Sequence, residues 1–504
     1  MLFNSDIFIL VFLPFWLIIM AAAPLKRRAV LTAIICIASL IFYSGDGLRN
    51  LPILVGSIVV NFILLRFMVL GERHKLGVIL AVIFNLGFLA YFKYSCFFLD
   101  LLPFVPQSQS CTARLPLGIS FFTFQQMALL IDVGRRRKAG TLEQKENYRF
   151  GDYFSFVSFF PQLIAGPIVR EKDLLDPIRE QKFKVSLKSV EIGGLVFLLG
   201  LFKKVFLADG AAAIATPLFK LAEKGPVDAA TAWLGAYAFS FQIYFDFSGY
   251  SDMAVGIAMM VGVTLPWNFN KPYRATSPIE FWRRWHITLS QFLRDYLYIP
   301  LGGSRKGKGR KYLNLFITMV LGGLWHGAAW TYVIWGAAHG VLLMIAHGLK
   351  SLTKNMSAGM SKIMSFLGWF LTFQSVTVIW IFFRAESFNG AKNMFAGLIN
   401  FEPTINLIRP LVGYWKGAAE YAAMAGLDTR TQLIVGKLAI AHLLLLFFIS
   451  VIWPRNTKTV SAYEALTHRA VWIKPLIWAV LSGLLSYALY LISSGAEPFI
   501  YFNF

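Results

Sequence analysis

Apolar stretches recur along the chain at about residues 7–23, 29–44, 51–70, 77–94, 115–133, 190–216, 230–263, 313–348, 363–383, 432–453 and 475–493, separated by polar runs. Most are close to the roughly 20 residues that cross a bilayer as a helix, and the longer ones have room for a bend or two short passes. The pattern predicts an all-α integral membrane protein with about 11 transmembrane segments. Residues 150–167 break the rhythm. They are aromatic and apolar, yet Pro161 and Pro167 interrupt them and polar, basic sequence flanks them, so they read as a re-entrant segment or a span.

The longest polar interval in the middle of the chain is 264–311, with ten Lys or Arg against Glu280 and Asp295. Within it, 278–298 has helical character. Ser277 stands as N-cap with Glu280 three residues on, the capping-box spacing. Phe281, Trp282, Trp285, Leu289, Phe292, Leu293 and Tyr296 fall mostly on one face, as in a helix lying in the membrane interface. With no internal repeat, low-complexity tract or soluble domain in view, residues 1–504 read as a single membrane domain, most recognisable over about 115–348.

Composition sharpens this reading. The chain is 57% hydrophobic and 15% charged with a mean hydropathy of +0.60, which excludes a water-soluble enzyme. Its net charge of +22 would suit nucleic acid in a soluble protein, but the basic residues cluster between apolar stretches, where they set topology. Lys26, Arg27 and Arg28 follow the first stretch; Arg73, His74 and Lys75 the third; Arg135, Arg136, Arg137 and Lys138 the fifth. The positive-inside rule makes these loops cytoplasmic and puts the N-terminus outside. The first stretch lacks a basic region before Phe8 and an obvious small-residue cleavage site, and is read as a retained helix rather than a signal peptide. Cys96 and Cys111 share an outside loop and are either bonded or free; Cys36 lies in an apolar stretch.

The candidate chemistry lies in a few polar residues at membrane depth. His326, in Leu-Gly-Gly-Leu-Trp-His-Gly, occupies an environment where an ionisable side chain costs roughly 2.5 kcal/mol or more unless it faces protein or a wet cavity. Gly322, Gly323 and Gly327 beside it permit close helix approach or a bend. His286, in Arg-Arg-Trp-His-Ile-Thr, is the second candidate, since a neutral imidazole can accept a hydroxyl proton during acyl transfer. His339, His347 and His442 read as structural. Asp246 and Asp252, six residues apart around Gly249, are either proton-relay groups or ion-pair partners for Arg283, Arg284 or Arg294. Residues 301–311 are Gly-rich and basic, suited to donor phosphates, anionic lipid headgroups or simply an inside loop. No metal-ligand spacing occurs.

The stretches PLGISFFTFQQMALLIDVGR (116–135), FVSFFPQLIAGPIVR (156–170), FSFQIYFDFSGYSDMAVGIAMMVG (239–262), PWNFNKPYRATSPIEFWRRWHITLSQFLRDYLYIPLGG (266–303) and GGLWHGAAWTYVIWGAAHG (322–340) carry a resemblance. With the MLFNS start and the aromatic C-terminus they cover nearly the whole chain, which resembles the membrane-bound O-acyltransferase (MBOAT) family in its alginate O-acetylation branch. The resemblance implies a multi-helix funnel with re-entrant or interfacial helices, His326 as catalytic histidine and His286 as the second signature position. It implies polysaccharide O-acetylation in a bacterial inner membrane, with acetyl-CoA as the cytoplasmic donor substrate and no bound cofactor. Its expected partners are a periplasmic SGNH-type O-acetyltransferase or other polysaccharide-modification proteins, and membrane lipids, but no nucleic acid. No appended hydrolase-like domain is visible, which fits the partnered arrangement. Arg283, Arg284 and Arg305 are placed to attract the anionic donor. A precursor transporter or flippase, a non-catalytic scaffold, and a family member carrying D-alanine or a longer acyl chain are the competing expectations.

Overall fold

The computed structural model describes the chain apart from residues 46, 100–114, 143–147, 353–356, 402–428, 453–455, 470–471, 494–498 and 501–504. Helices are the only regular structure among the described residues. The chain divides into two compact units: residues 1–201, 250–267 and 478–493 form one, and residues 202–249, 268–477 and 494–504 the other.

By length and composition, five helices among the described residues can cross a membrane: Leu48–Val69, His74–Phe97, Trp330–Leu349, Gly359–Arg384 and Ile473–Ser493. A sixth is reached if the bent pair Ala439–Ile452 and Thr457–His468 counts as one span. The described helices and the apolar stretches do not correspond one for one. The stretch at 313–348 is two helices, Gly307–His326 and Trp330–Leu352, joined by a short turn. The stretch at 190–216 carries a π-helical turn, Lys203–Ala208, in its middle. Residues 150–167 form two short helices, Phe150–Ser158 and Phe160–Leu163, broken at Phe159, and neither is long enough to span. In contrast, Ala229–Met260 is one continuous helix of 32 residues with no break at Gly249.

In the first unit, side chains at membrane depth satisfy one another. Asn61 and Asn85 exchange amide hydrogen bonds between their helices, and Gln126 donates to Ser57 at 3.0 Å while accepting from the Tyr153 hydroxyl at 3.1 Å. Such pairs hold helices together where the surroundings give no hydrophobic driving force. Asp152 is buried and ion-paired with Arg28, so one of the basic residues read as a topology signal also locks a loop helix. Arg136 has a similar double role, pairing with Glu171, which also accepts from Tyr148 and Arg179 at 2.7 Å each. Arg136, Arg137 and Lys138 close the Ile119–Ala139 helix, which ends at Gly140 in the left-handed region. Their charges suit the negative end of the helix dipole. Cys96 is disulfide-bonded and Cys36 is a free thiol; Cys111 and the C-terminal residues 501–504 lie outside the described residues.

The second unit is built on an aromatic core of Trp285, Trp335, Trp380, Phe239, Phe281, Tyr273 and Phe373. The Gly307–His326 and Trp330–Leu352 helices pack at backbone distance: a Cβ on Gly323 would lie 2.2 Å from the Tyr332 carbonyl oxygen and one on Gly336 2.3 Å from that of Met319. Only glycine allows this approach, and the approach fixes where His326, at the end of its helix, points.

Candidate active site

The helix expected over 278–298 is not continuous. It divides into Pro278–Arg284, Ile287–Leu293 and a π-helical turn Arg294–Tyr298. Its start is as the spacing predicts, with the Ser277 side chain accepting from the Glu280 N–H at 3.2 Å. The return bond goes one residue further back, since the Glu280 carboxylate accepts from Thr276 N–H at 2.7 Å rather than from Ser277. The break falls at Trp285 and His286. Trp285 is extended and His286 is left-handed, at φ 40° and ψ 57°, a conformation that costs a residue with a Cβ about 1–2 kcal/mol.

The segment at 268–270 holds that break in place. Asn270 N–H donates to the Arg284 carbonyl at 2.9 Å and Ile287 N–H to the Asn268 carbonyl at 2.9 Å. The Asn268 side-chain oxygen meets His286 Nδ1 at 3.1 Å and accepts from Thr288 N–H at 3.2 Å and Thr288 Oγ1 at 3.0 Å. An amide oxygen can only accept, so His286 Nδ1 carries the proton and Nε2 keeps the lone pair of a base. His286 is fully buried, and burial pushes its pKa down to about 3, so the ring is neutral at physiological pH.

His326 is almost as buried. Its imidazole lies among Trp325, Trp335 and Phe383, with ring centroids 4.9, 5.0 and 5.1 Å away. The Trp325 ring is also 6.2 Å from that of His286. The structure therefore brings the two histidines named from sequence to one aromatic cluster, with Trp325 in contact with both. Phe247 closes His286 from another direction at 4.6 Å, perpendicular to the ring.

The other candidates separate from this centre. Arg284 is bonded to Glu280 and held on its own helix, whereas Arg283 and Arg305 are exposed. The basic run read as a loop is helical from Gly307 on, so Lys308, Arg310 and Lys311 lie in the first turns of the helix that ends in His326. Asp246 pairs with none of Arg283, Arg284 and Arg294. It meets Lys204 at 2.8 Å and accepts from Ile500 N–H at 2.8 Å, and Lys204 also meets Asp209 at 2.7 Å. Arg294 pairs with Asp295. Asp252 is buried in the same helix as Asp246. His347 meets Lys311 at 3.2 Å, His442 lies over Gly210, and His339 is fully buried among aromatic rings.

Sequence reasoning missed Asn268. It lies in Pro-Trp-Asn-Phe-Asn-Lys-Pro, two residues after Pro266, and the signal that could have found it is a polar amide between aromatic residues just ahead of the His286 segment.

An all-helical membrane-spanning chain with two buried histidines on a shared aromatic cluster defines a polytopic membrane protein with a site suited to proton-coupled group transfer. The profile of the MBOAT, membrane-bound O-acyltransferase family matches residues 122–384. Among relatives, the peptidoglycan O-acetyltransferase of Helicobacter pylori is 39% identical over 79% of this chain and 80% of its own. The probable alginate O-acetylase AlgI of Pseudomonas aeruginosa is 40% identical over 89% and 81%, and that of Pseudomonas putida 37% identical over the full length of both. The chain belongs to the membrane-bound O-acyltransferase family and is a multi-pass membrane O-acyltransferase.

Proposed function

We propose that this protein O-acetylates an exported glycan, taking acetyl from acetyl-CoA on the cytoplasmic side of a bacterial inner membrane and passing it to an acceptor on the periplasmic side. The observation that carries the reading is the cluster itself: a histidine at the end of its helix, walled by aromatic rings, sharing the Trp325 ring with His286, which is neutral. The similarity to two kinds of glycan O-acetyltransferase supports acetyl as the cargo. It weighs against a carrier or flippase.

In the reaction, His326 takes the proton of an acceptor hydroxyl as its oxygen attacks the acetyl carbonyl carbon of the thioester. The carbon–oxygen ester bond forms, the carbon–sulfur bond breaks, and the imidazolium returns its proton to the departing thiolate. A positioned base of this kind contributes roughly 10² to 10⁴ in rate. His286, with its lone pair on Nε2, orients or relays the proton, and Asn268 fixes its tautomer. Arg283 and Arg305 attract the anionic donor from solution. Arg284 is assigned no such role, because Glu280 already neutralises it.

The acceptor is the polymer or a periplasmic SGNH-type acetyltransferase that completes the transfer. A thioester is present only inside and the polymer hydroxyl only outside, so a transferase that spans the membrane lets one acetyl group cross without its carrier. Inside-out membrane vesicles given acetyl-labelled acetyl-CoA test this. Label recovered as alkali-labile ester on lumenal glycan or on the partner supports the reading; label recovered only when the donor is supplied on the periplasmic face overturns it.

A further inference from the structure

Acyl transfer needs more than a base. As the carbonyl carbon becomes tetrahedral its oxygen takes negative charge, and a preorganised hydrogen-bond donor aimed at that oxygen is commonly worth ~10²–10³ in kcat. The residues assigned so far supply proton acceptors and a donor-attracting surface. None supplies that hydrogen bond.

Trp335 has the required properties. It lies on the helix that follows His326, is 1% exposed, and stands at 84° to the His326 ring with centroids 5.0 Å apart. An indole Nε1–H can only donate, and this one is buried with no protein acceptor. A phenylalanine would fill the same core without burying an unmet donor. The ring is also fixed from several directions. Trp380 stacks on it at 5.6 Å, Phe383 meets it at 5.3 Å, and His339, one helical turn on, at 4.8 Å. A donor held this rigidly needs no reorganisation when charge develops.

On the reading that His326 is the base of an acetyl transfer, we propose that Trp335 is a further catalytic residue, its indole N–H donating to the acetyl carbonyl oxygen and stabilising the oxyanion of the tetrahedral intermediate. Trp335 and His326 are in direct ring contact, so a hydrogen-bond donor on the one and a base on the other serve the same small volume.

The test compares wild type, His326→Ala, Trp335→Phe and a protein carrying benzothienylalanine at position 335, which replaces the N–H by sulfur and keeps the ring shape. Acetyl-CoA turnover is measured in membranes at matched protein level. For both position-335 variants kcat is expected to fall ~10²-fold or more while KM for acetyl-CoA stays within about threefold. The isostere decides the matter if Trp335→Phe fails to insert. Unchanged kcat in the isostere, or a rise in KM alone, overturns the oxyanion role. In either case His326→Ala reports separately on the base: full activity there overturns the underlying reading, and loss of activity there leaves it standing.

Discussion

The side-chain oxygen of Asn268 stands 3.1 Å from Nδ1 of His286 and also accepts both the N–H and the hydroxyl of Thr288. One amide thus fixes the tautomer of a buried histidine and pins the left-handed kink that carries it. The arrangement depends on hydrogen bonds between segments about 18 residues apart in sequence, and each is buried. Asn268→Ala is expected to leave these donors unmet and destabilise the protein by about 1–3 kcal/mol. It should lower acetyl transfer more than it lowers the membrane level, and quantitative immunoblotting beside a turnover assay checks this.

The neutral state of His286 gives a pH dependence of known sign. Its folded pKa is near 3 while an unfolded histidine titrates near 6.5, so between these values the unfolded chain binds the extra proton. Stability contributed by the neutral ring is therefore complete above about pH 6.5 and is lost as pH falls toward 3. Melting temperatures in detergent are expected to fall more steeply with acidification for wild type than for His286→Gln. Parallel slopes would show that this ring does not set the acid limit.

Close packing of the two helices around His326 rests on specific glycines. Gly323→Ala drives a Cβ to 2.2 Å from a backbone oxygen, whereas a Cβ on Gly309 meets nothing within 4 Å. Gly323→Ala is expected to reduce folded protein sharply in size-exclusion profiles of detergent extracts. Gly309→Ala in the same helix should have no such effect, apart from a gain in helix propensity of about 1 kcal/mol or less.

The Lys204 site should respond asymmetrically. Lys204→Met leaves Asp209 and Asp246 without their shared cation, and removing one partner of a buried pair costs about 3–5 kcal/mol. Asp246→Asn keeps the Lys204–Asp209 pair and is expected to be milder. Thermal melts of the two variants give the order directly.

Much of this molecule was legible in its sequence because its strongest signals are one-dimensional. Hydropathy marks the membrane helices, and His326 stands out as an ionisable group inside an apolar run. The Ser277 cap was legible for the same reason, since its bond closes within three residues. What was not legible depends on pairing between distant segments. The kink at His286 interrupts an amphipathic pattern that favours one long helix, and its cause lies at 268–270. The partner of Asp246 was sought among nearby arginines, but Arg284 is taken by Glu280, Arg294 by Asp295, Arg283 is exposed, and the actual partner is Lys204 on a π-helical turn. Element boundaries were less legible where buried charge or a tight turn divides an apolar run, as at 203–209 and 327–329.

The most direct test of the central claim is the acetate released by mild alkali from exported glycan of cells carrying wild type, His326→Ala, or neither chain, with membrane levels of the two proteins matched. Acetate at the level of cells lacking the chain is expected for His326→Ala, as it must be if this imidazole is the base for the transfer. Acetate at the wild-type level in that variant would contradict the account and leave the protein a conduit or organiser of acetylation rather than its catalyst.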